Sequence, residues 1–467
     1  MSDNRIGDRA VVLGAGMAGL LVARVLSESF AEVLVVDRDE LTEVKTYRRG
    51  IPHGRHAHGL VARGQQIIEG YFPGLKDDIE ADGVKTGDFS SDVRWIFNGR
   101  RMKPAPSGLV CVPAIRPLLE YHVRRRTMAI PNVKFLERHE ILGLESTSDG
   151  ARVCGAKARS VATGTEVVLP ADLVVDTSGK GSRTPVWLEE LGYQRPIEQK
   201  VKIDLAYTTR HYRLRSDPFG TDLAIIPAAT PSTPRGAFFH HMPDRGGHVE
   251  LSLTGMLGDH PPTDDGGFLA FVKSLPIPDI YEAIKDAEPL DTPVMFKYPT
   301  SVWRHYERLS RFPEGLLVLG DAVCSFNPIY AQGMTVAAME TAVLREHLQR
   351  GAVPPARRYF TEIAKRIAAA WDVSAGADLG YGAVEGKRSL KVRMINAYVA
   401  RLQDAAVYDA TLTNAFIRVA GLVDPPQALL RPGNVIRVLR QSRRRPAPTP
   451  VAALPRPEPR EAPDKAA

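Results

Sequence analysis

Cysteine is scarce in this chain of 467 residues: Cys111, Cys154 and Cys324 lie far apart and form no C-x-x-C pair. Such a set argues against a disulfide framework and a thiolate zinc site, and it suits a reducing compartment. Long apolar runs are missing too. No stretch approaches the ~18 residues of a membrane span, and the first residues lack the apolar core of a secretory leader. The expectation is a cytoplasmic protein with no membrane span. The body of the chain also lacks a surplus of one charge. The formal net charge is +7, but residues 437–467 hold eight Lys or Arg against three Asp or Glu, which leaves +2 for everything before them. A nucleic-acid partner is therefore not expected. The basic end, from Arg443-Arg444-Arg445-Pro446 onward, is too poor in apolar residues to fold, so 441–467 reads as a disordered tail. Neither a nucleophile–base triad nor a metal-ligand set is found, so no metal and no catalytic side chain are assigned.

What is present begins at residues 9–38. The apolar run Ala10 to Leu13 has the length of a buried strand and ends at Gly14-Ala15-Gly16-Met17-Ala18-Gly19, which opens a helical pattern. Gly14 permits the tight turn, Gly16 lets backbone approach a pyrophosphate, and Gly19 lets the helix lie close on its strand. The helix start supplies unpaired N–H groups and partial positive charge. A second buried strand, Val33 to Val36, ends in Asp37-Arg38, with the acid about twenty residues past the glycines, where a ribose 2′-hydroxyl is bound. This unit predicts a dinucleotide site. FAD and NAD satisfy it equally.

Residues 47–60 form a loop crowded with cations. Arg48, Arg49 and Arg55 are candidates for the pyrophosphate, because a guanidinium fork matches phosphate oxygens at two points. His53, His56 and His58 could contact a flavin or substrate, or fix the loop by hydrogen bonds; with no carboxylate or cysteine beside them a metal set is incomplete. Arg116 begins a helix running to Met128. A cation there opposes the helix dipole, which points to a bound anion, the plainer alternative being a surface charge. Residues 133–176 read as a meander of four strands and a buried run, Leu173 to Val175. Residues 186–296 carry alternating strands (204–214, 236–242 and 248–255), with a helix at 268–275. Helices are expected at 358–371 and 392–405. Trp95, Phe238 and Phe239 are candidate pocket aromatics, each equally at home in a core. Finally, a buried strand from Leu316 ends at Gly320-Asp321, a loop holds Pro328, and Gly333-Met334 opens an amphipathic helix through Leu348. This second helix start is suited to negative charge.

Taken together, Gly14-x-Gly16-x-x-Gly19, Arg116, Gly320-Asp321, Pro328 and Gly333 resemble the flavoprotein monooxygenases of the aromatic-hydroxylase type. Arg48-Arg49-Gly50-Ile51-Pro52-His53-Gly54-Arg55-His56-Ala57-His58, Asp172 through Ser182, and Gly320-Asp321-Ala322-Val323 are more closely similar to the flavin-dependent epoxidases of bacterial polyether biosynthesis, of the lasalocid and monensin type. The resemblance implies an α/β fold: a Rossmann-type FAD-binding domain (1–80, 111–185, 297–350), an interleaved β-sheet substrate domain (81–110, 186–296) and C-terminal helices (351–440). It implies FAD, with Asp37 at the adenosine ribose and Arg49 and Arg116 at the pyrophosphate or ribityl region. It further places Ile141 near adenine, Asp321 at the ribityl chain, Pro328 near the reactive flavin carbon, and the Gly333 and Met334 N–H groups at the pyrimidine edge. O2 is the implied co-substrate, and a flavin C4a-hydroperoxide would pass one oxygen to an alkene of a lipophilic small-molecule precursor. An aromatic polyketide hydroxylase and a flavin-dependent dehydrogenase or reductase are the alternatives. Where the hydroxylases usually carry Asp-Gly, this chain has Ser178-Gly179, which leaves reduction by NAD(P)H directly or through a separate flavin reductase.

Overall fold

The computed structural model describes residues 5–113, 115–243 and 246–441, so from 442 on the expected tail lies outside the described residues. Two sheets organise the chain. The first is parallel and five-stranded, in the order Leu316–Val318, Leu173–Asp176, Gly7–Leu13, Phe30–Val36, Val133–Leu136. Its central residues, among them Val11, Val12, Val174 and Val318, have no exposure, as a parallel sheet covered on both faces requires. Helix Met17–Leu26 crosses from the first strand to Phe30–Val36, completing the βαβ unit.

The expected meander over 133–176 is split between two sheets. Val133–Leu136 forms the edge of the parallel sheet, whereas His139–Ser146, Val153–Ser160 and Glu166–Pro170 form a separate antiparallel sheet of three strands. Alternation along a strand shows that it has two faces. It does not show which neighbour it pairs with.

The largest sheet is mixed and nine-stranded, built on Ile197–Arg213, which pairs with His248–Gly255 on one side and Val294–His305 on the other. At 17 residues this strand begins seven residues before the expected 204–214. The discontinuity lies between Lys202 and Leu205, where Asp204 has a positive φ of 40° and the register shifts. Across three adjacent strands His211, Glu250 and His240 lie side by side, with Glu250 Oε2 3.4 Å from His211 Nε2 and Oε1 3.5 Å from His240 Nε2. Asp291 closes on His211 Nδ1 at 2.6 Å. Although burial opposes its charge, the two imidazoles hold the Glu250 carboxyl down to about 2, and the facing carboxylates push His211 up to about 9.

Residues 316–348 join the two sheets. Leu316–Val318 belongs to the parallel sheet. Only a turn later, Cys324–Ser325 pairs with Val302 and Trp303 in the mixed one. The loop then reaches helix Gly333–Leu348. Beyond it, helix Ala356–Asp378 runs seven residues past the expected 371, and helices Leu390–Ala406, Ala410–Ala420 and Pro432–Gln441 close a small core around Met102, Leu402 and Leu412. Among the described residues no helix is long and apolar enough to cross a membrane.

The three motif glycines have different reasons. Gly14 has φ +100°, a conformation costly for any residue with a side chain. A Cβ on Gly19 would lie 1.9 Å from the Gly14 carbonyl oxygen, so helix and turn could not pack. A Cβ on Gly16 would meet only Ile51 Cδ1, at 3.9 Å. Gly19→Ala is therefore expected to destabilise the protein by about 3 kcal/mol or more through overpacking, and Gly16→Ala by at most about 1 kcal/mol through its cap position. Urea unfolding of the two variants checks this, and equal losses would contradict it.

Candidate functional site

A cleft of about 720 Å3 opens where the two sheets meet. It is lined by Gly14, Gly16, Met17 and Ala18 from the first helix start and by Gly333, Met334 and Ala337 from the second. Two helix N-termini, more than 300 residues apart in sequence, thus face one cavity, each with free N–H groups and the positive end of a dipole. The volume lies within the range of cofactor pockets.

At one end, Asp37, Arg38, His139, Glu140 and Ile141 line the cleft. Asp37 Oδ2 accepts from the Ala15 N–H at 2.7 Å and Oδ1 from the Asp39 N–H at 2.9 Å, which fixes the carboxylate at the strand end. Burial raises its pKa, with Arg48 opposing. The turn itself is pinned by Thr177, whose Oγ1 donates to the carbonyls of Leu13 and Gly14 at 2.9 and 3.0 Å.

The arginines divide. Arg48, one of the candidates for the pyrophosphate, lines the cleft and is also braced within the protein: Nε donates to Glu120 Oε1 at 2.8 Å, Nη2 to the Ala15 carbonyl at 3.0 Å, and Nη1 lies 3.3 Å from Asp39. Arg49 and Arg55 are exposed and do not line the cleft, Arg55 lying over the Tyr47 ring. Arg116 is buried and lines the cleft, its Nε 3.2 Å from Glu120 Oε2 one turn along the helix. It is therefore no surface charge. Glu120 is shared with Arg48 and Arg124, and despite burial the three guanidinium groups hold its carboxyl below the usual range. Arg48 also faces Asp37 at 3.6 Å and Asp39 at 3.3 Å, so Arg116 is the member of this network that brings a guanidinium to the cleft with Glu120 as its ion-pair partner among the described residues.

In the middle sits Asp321. Its carboxylate makes no hydrogen bond to another described residue, and burial raises its pKa while Arg116, Lys180 and Arg304 oppose. The turn holding it is over-determined. Gly320 has φ +71°, and its N–H donates to Glu340 Oε2 at 2.6 Å. Arg304 donates to the carbonyls of Ala322 and Lys180 at 3.0 and 2.9 Å, tying the two strand-end loops together. Gln332, 1 % exposed and lining the cleft immediately before the second helix, leaves both polar atoms of its amide unpaired. Buried polar atoms without partners point to a ligand that supplies them.

At the far end, His53, His56, His58, Tyr207, Phe296, Tyr298, Phe326, Pro328 and Ala331 form the walls. Burial, with help from nearby cations, pushes His53 and His56 down to about 4 and His58 well below its ordinary value, so all three are neutral at pH 7. His58 Nδ1 lies 2.7 Å from the His56 carbonyl; a carbonyl only accepts, so Nδ1 carries the proton and Nε2 is a free acceptor. His56 Nδ1 meets Thr209 Oγ1 at 2.8 Å. No group of three or more metal-ligating side chains occurs among the described residues. Trp95, Phe238 and Phe239 do not line the cleft: Phe239 is fully buried in the core beneath the mixed sheet, and Trp95 donates its Nε1–H to the Phe89 carbonyl.

Thr177, Lys180, Gln332 and Glu340 had no role assigned from sequence, although the first three sit beside glycine turns that the pattern did locate and Glu340 lies on the helix that Gly333 opens. The partners of Thr177, Lys180 and Glu340 lie 20 or more residues away, and only the fold brings them together.

The fold is that of the FAD-binding monooxygenases. The flavoprotein/dehydrogenase from Cytophaga hutchinsonii superposes with a TM-score of 0.66 at 14% identity, over 93% of this chain and 98% of its own. The p-nitrophenol 4-monooxygenase PnpA from Pseudomonas putida superposes with a TM-score of 0.61 at 14% identity, over 89% and 98%. No family model matches the chain. Protein Rv3254 of Mycobacterium tuberculosis is 34% identical over 351 residues, 73% of each chain, and this chain belongs to the same family. The kynurenine 3-monooxygenase of Salinispora tropica is 26% identical over 370 residues, 74% of this chain and 73% of its own.

The buried Glu340 carboxyl is pushed up to about 8 by desolvation, with the Gly320 N–H as its one hydrogen-bond partner. Its folded pKa is above its unfolded one, so the stability tied to its proton is present below about pH 4.5 and is lost as pH rises towards 8. Glu340→Gln keeps an acceptor for Gly320 and removes the titration. The stability of the variant relative to the native chain should therefore grow between pH 5 and pH 8.5 in urea unfolding. A difference independent of pH would refute a protonated Glu340.

Proposed function

We propose that the chain is an FAD-dependent monooxygenase that transfers one oxygen atom from O2 to a carbon–carbon double bond of a lipophilic natural-product precursor. The observation that carries this is the pair of helix starts on one cleft, with the unbonded Asp321 carboxylate and the unpaired Gln332 amide between them. These residues suit FAD. Asp37 would accept from the adenosine ribose, with Arg38 and Ile141 beside it. The Gly16–Ala18 backbone and Arg116 would take the pyrophosphate, and Arg49 would serve as an outer cation. Asp321 would accept from ribityl hydroxyls. Gly333 and Met334 would present N–H groups to the pyrimidine edge, with Pro328 near the reactive carbon. When bound and reduced, FAD supplies the activation of O2. The protein's part is to exclude water and aim the acceptor. Phe296, Phe326, Tyr207 and Tyr298 give an apolar wall, and the neutral histidines offer no proton at pH 7 to quench the oxidant. Likeness to the kynurenine 3-monooxygenases and to PnpA supports oxygen transfer. Electrons come from NAD(P)H, taken directly or through a separate flavin reductase.

A second reading, hydroxylation of a phenolic ring, is favoured by one observation. His58 Nε2 is an acceptor in the cleft, placed to take a hydrogen bond from a ring hydroxyl and raise the ring's electron density.

FAD added to the apoprotein should yield a yellow holoenzyme. Asp321→Ala should weaken FAD binding about tenfold or more by losing charge-assisted hydrogen bonds, without lowering the apoprotein's unfolding midpoint, since the carboxylate has no hydrogen bond to another described residue to lose and its burial outweighs the attraction of Arg116, Lys180 and Arg304. Turnover under 18O2 should place one labelled oxygen in an epoxide. A labelled phenol without epoxide would establish the second reading, and turnover without O2 would remove both.

A further inference from the structure

The loop that forms the cleft floor is held from behind by a residue of the C-terminal helices. Asp378, the last residue of helix Ala356–Asp378, is fully buried. Its Oδ1 accepts from Asn327 Nδ2 at 2.9 Å and from the Tyr330 hydroxyl at 3.0 Å. Its Oδ2 is buried with no partner. Asn327 is itself fully buried, its Oδ1 accepting from the Ile329 N–H at 3.2 Å, so its side chain is fixed at both ends. Pro328 lies between these two anchors and Ala331, with φ +53°, directly follows the second; both line the cleft. The titratable groups facing Asp378 are tyrosines: Tyr330 from the loop, Tyr207 from the long central strand and Tyr381 just beyond its own helix.

We propose that Asp378 is the positioning residue that latches the Phe326–Ala331 loop to the C-terminal helix, and that the latch is closed when the carboxyl is protonated and released when it ionises. Both existing bonds are accepted by one oxygen and need no charge on the other. An ionised carboxylate here would have two neutral donors, one bare buried oxygen and no cation among its hydrogen-bond and ion-pair partners, which is costly in a dry site. In keeping with this, burial pushes the carboxyl up to about 7. The linkage sign follows. The closed loop holds the proton more tightly than a hydrated, open loop does, so closure is favoured below neutral pH and weakens as pH rises through about 7.

The role of the loop as a wall of the cofactor cleft rests on the FAD reading, but the latch does not. The primary test is therefore hydrogen exchange of the 326–331 amides in the apoprotein, corrected for the chemical rate. Protection of the native chain should fall about tenfold between pH 6 and pH 8.5. Asp378→Asn keeps an acceptor for both donors and cannot ionise; its protection should match the native value at pH 6 and stay level to pH 8.5. Tyr330→Phe removes one donor and should lower protection at both pH values, even if Asp378→Ala fails to fold. In the holoenzyme, FAD affinity of the native chain should decline over the same range and that of Asp378→Asn should not. An Asp378→Asn variant that keeps the native pH dependence, or a native loop whose protection does not change with pH, overturns the proposal. Failure to bind FAD at all would instead overturn the FAD reading and leave the exchange result standing.

Discussion

The stretch from Leu316 to Gly333 has to serve two sheets at once, and the cleft exists because it does. Leu316–Val318 is bound to the parallel sheet by Val174, Val175 and Asp176, and Cys324–Ser325 to the mixed sheet by Val302 and Trp303. Five residues must therefore turn the chain from one hydrogen-bonding plane into another. Gly320 supplies the left-handed backbone that this needs, and a Cβ there would also press on Ala18 at 2.9 Å. Glu340 and Arg304 close the turn from opposite sides. What remains is a carboxylate, Asp321, held at the junction with its hydrogen-bonding capacity unspent.

Burial sets the chemistry along this cleft more than any single ion pair does. Asp37, Asp321, Glu340 and Asp378 all have raised carboxyl pKa values with desolvation as the leading cause. His53, His56 and His58 are neutral for the same reason. The exceptions are instructive. Glu120 and Glu250 are buried as deeply and yet stay ionised, because each is packed among cationic partners. The cleft thus has a guanidinium, Arg116, on one part of its wall and neutral walls by the histidines. That polarity suits a ligand with phosphates at one end and an uncharged reacting centre at the other.

Much of the scaffold was legible in the sequence because its signals are local. A strand, a turn that tolerates only glycine and a helix start follow within thirteen residues, so Gly14 to Gly19 could be read directly, and Gly320 to Met334 nearly so. Pairing was not legible. A guanidinium fork fits a carboxylate as well as a phosphate, so nothing near Arg48 in sequence says that Glu120, 72 residues on, occupies it. For the same reason Val133–Leu136 could not be separated from the strands that follow it, and the aromatic residues Trp95, Phe238 and Phe239 could not be sorted between core and cavity. Those choices depend on which face a neighbour covers.

The end of helix Ala356–Asp378 shows how such hidden information is still written in the chain. An amphipathic pattern through Trp371 runs on into Ser374, Ala375 and Asp378, which keep the helical spacing of the buried stripe, although Ser374 and Asp378 do not keep its apolar character. Read for hydrophobicity, the helix stops too early. Read for spacing, it continues, and a carboxylate lands on the stripe where an apolar residue would cost less. Ser374 answers with a bond to its own helix, donating to the Ala370 carbonyl at 3.0 Å. Asp378 has no such local answer, and its partners must come from another part of the chain. A polar residue in register with a buried face is therefore a sign that the face meets something other than a core, and here it meets the loop beside the cleft.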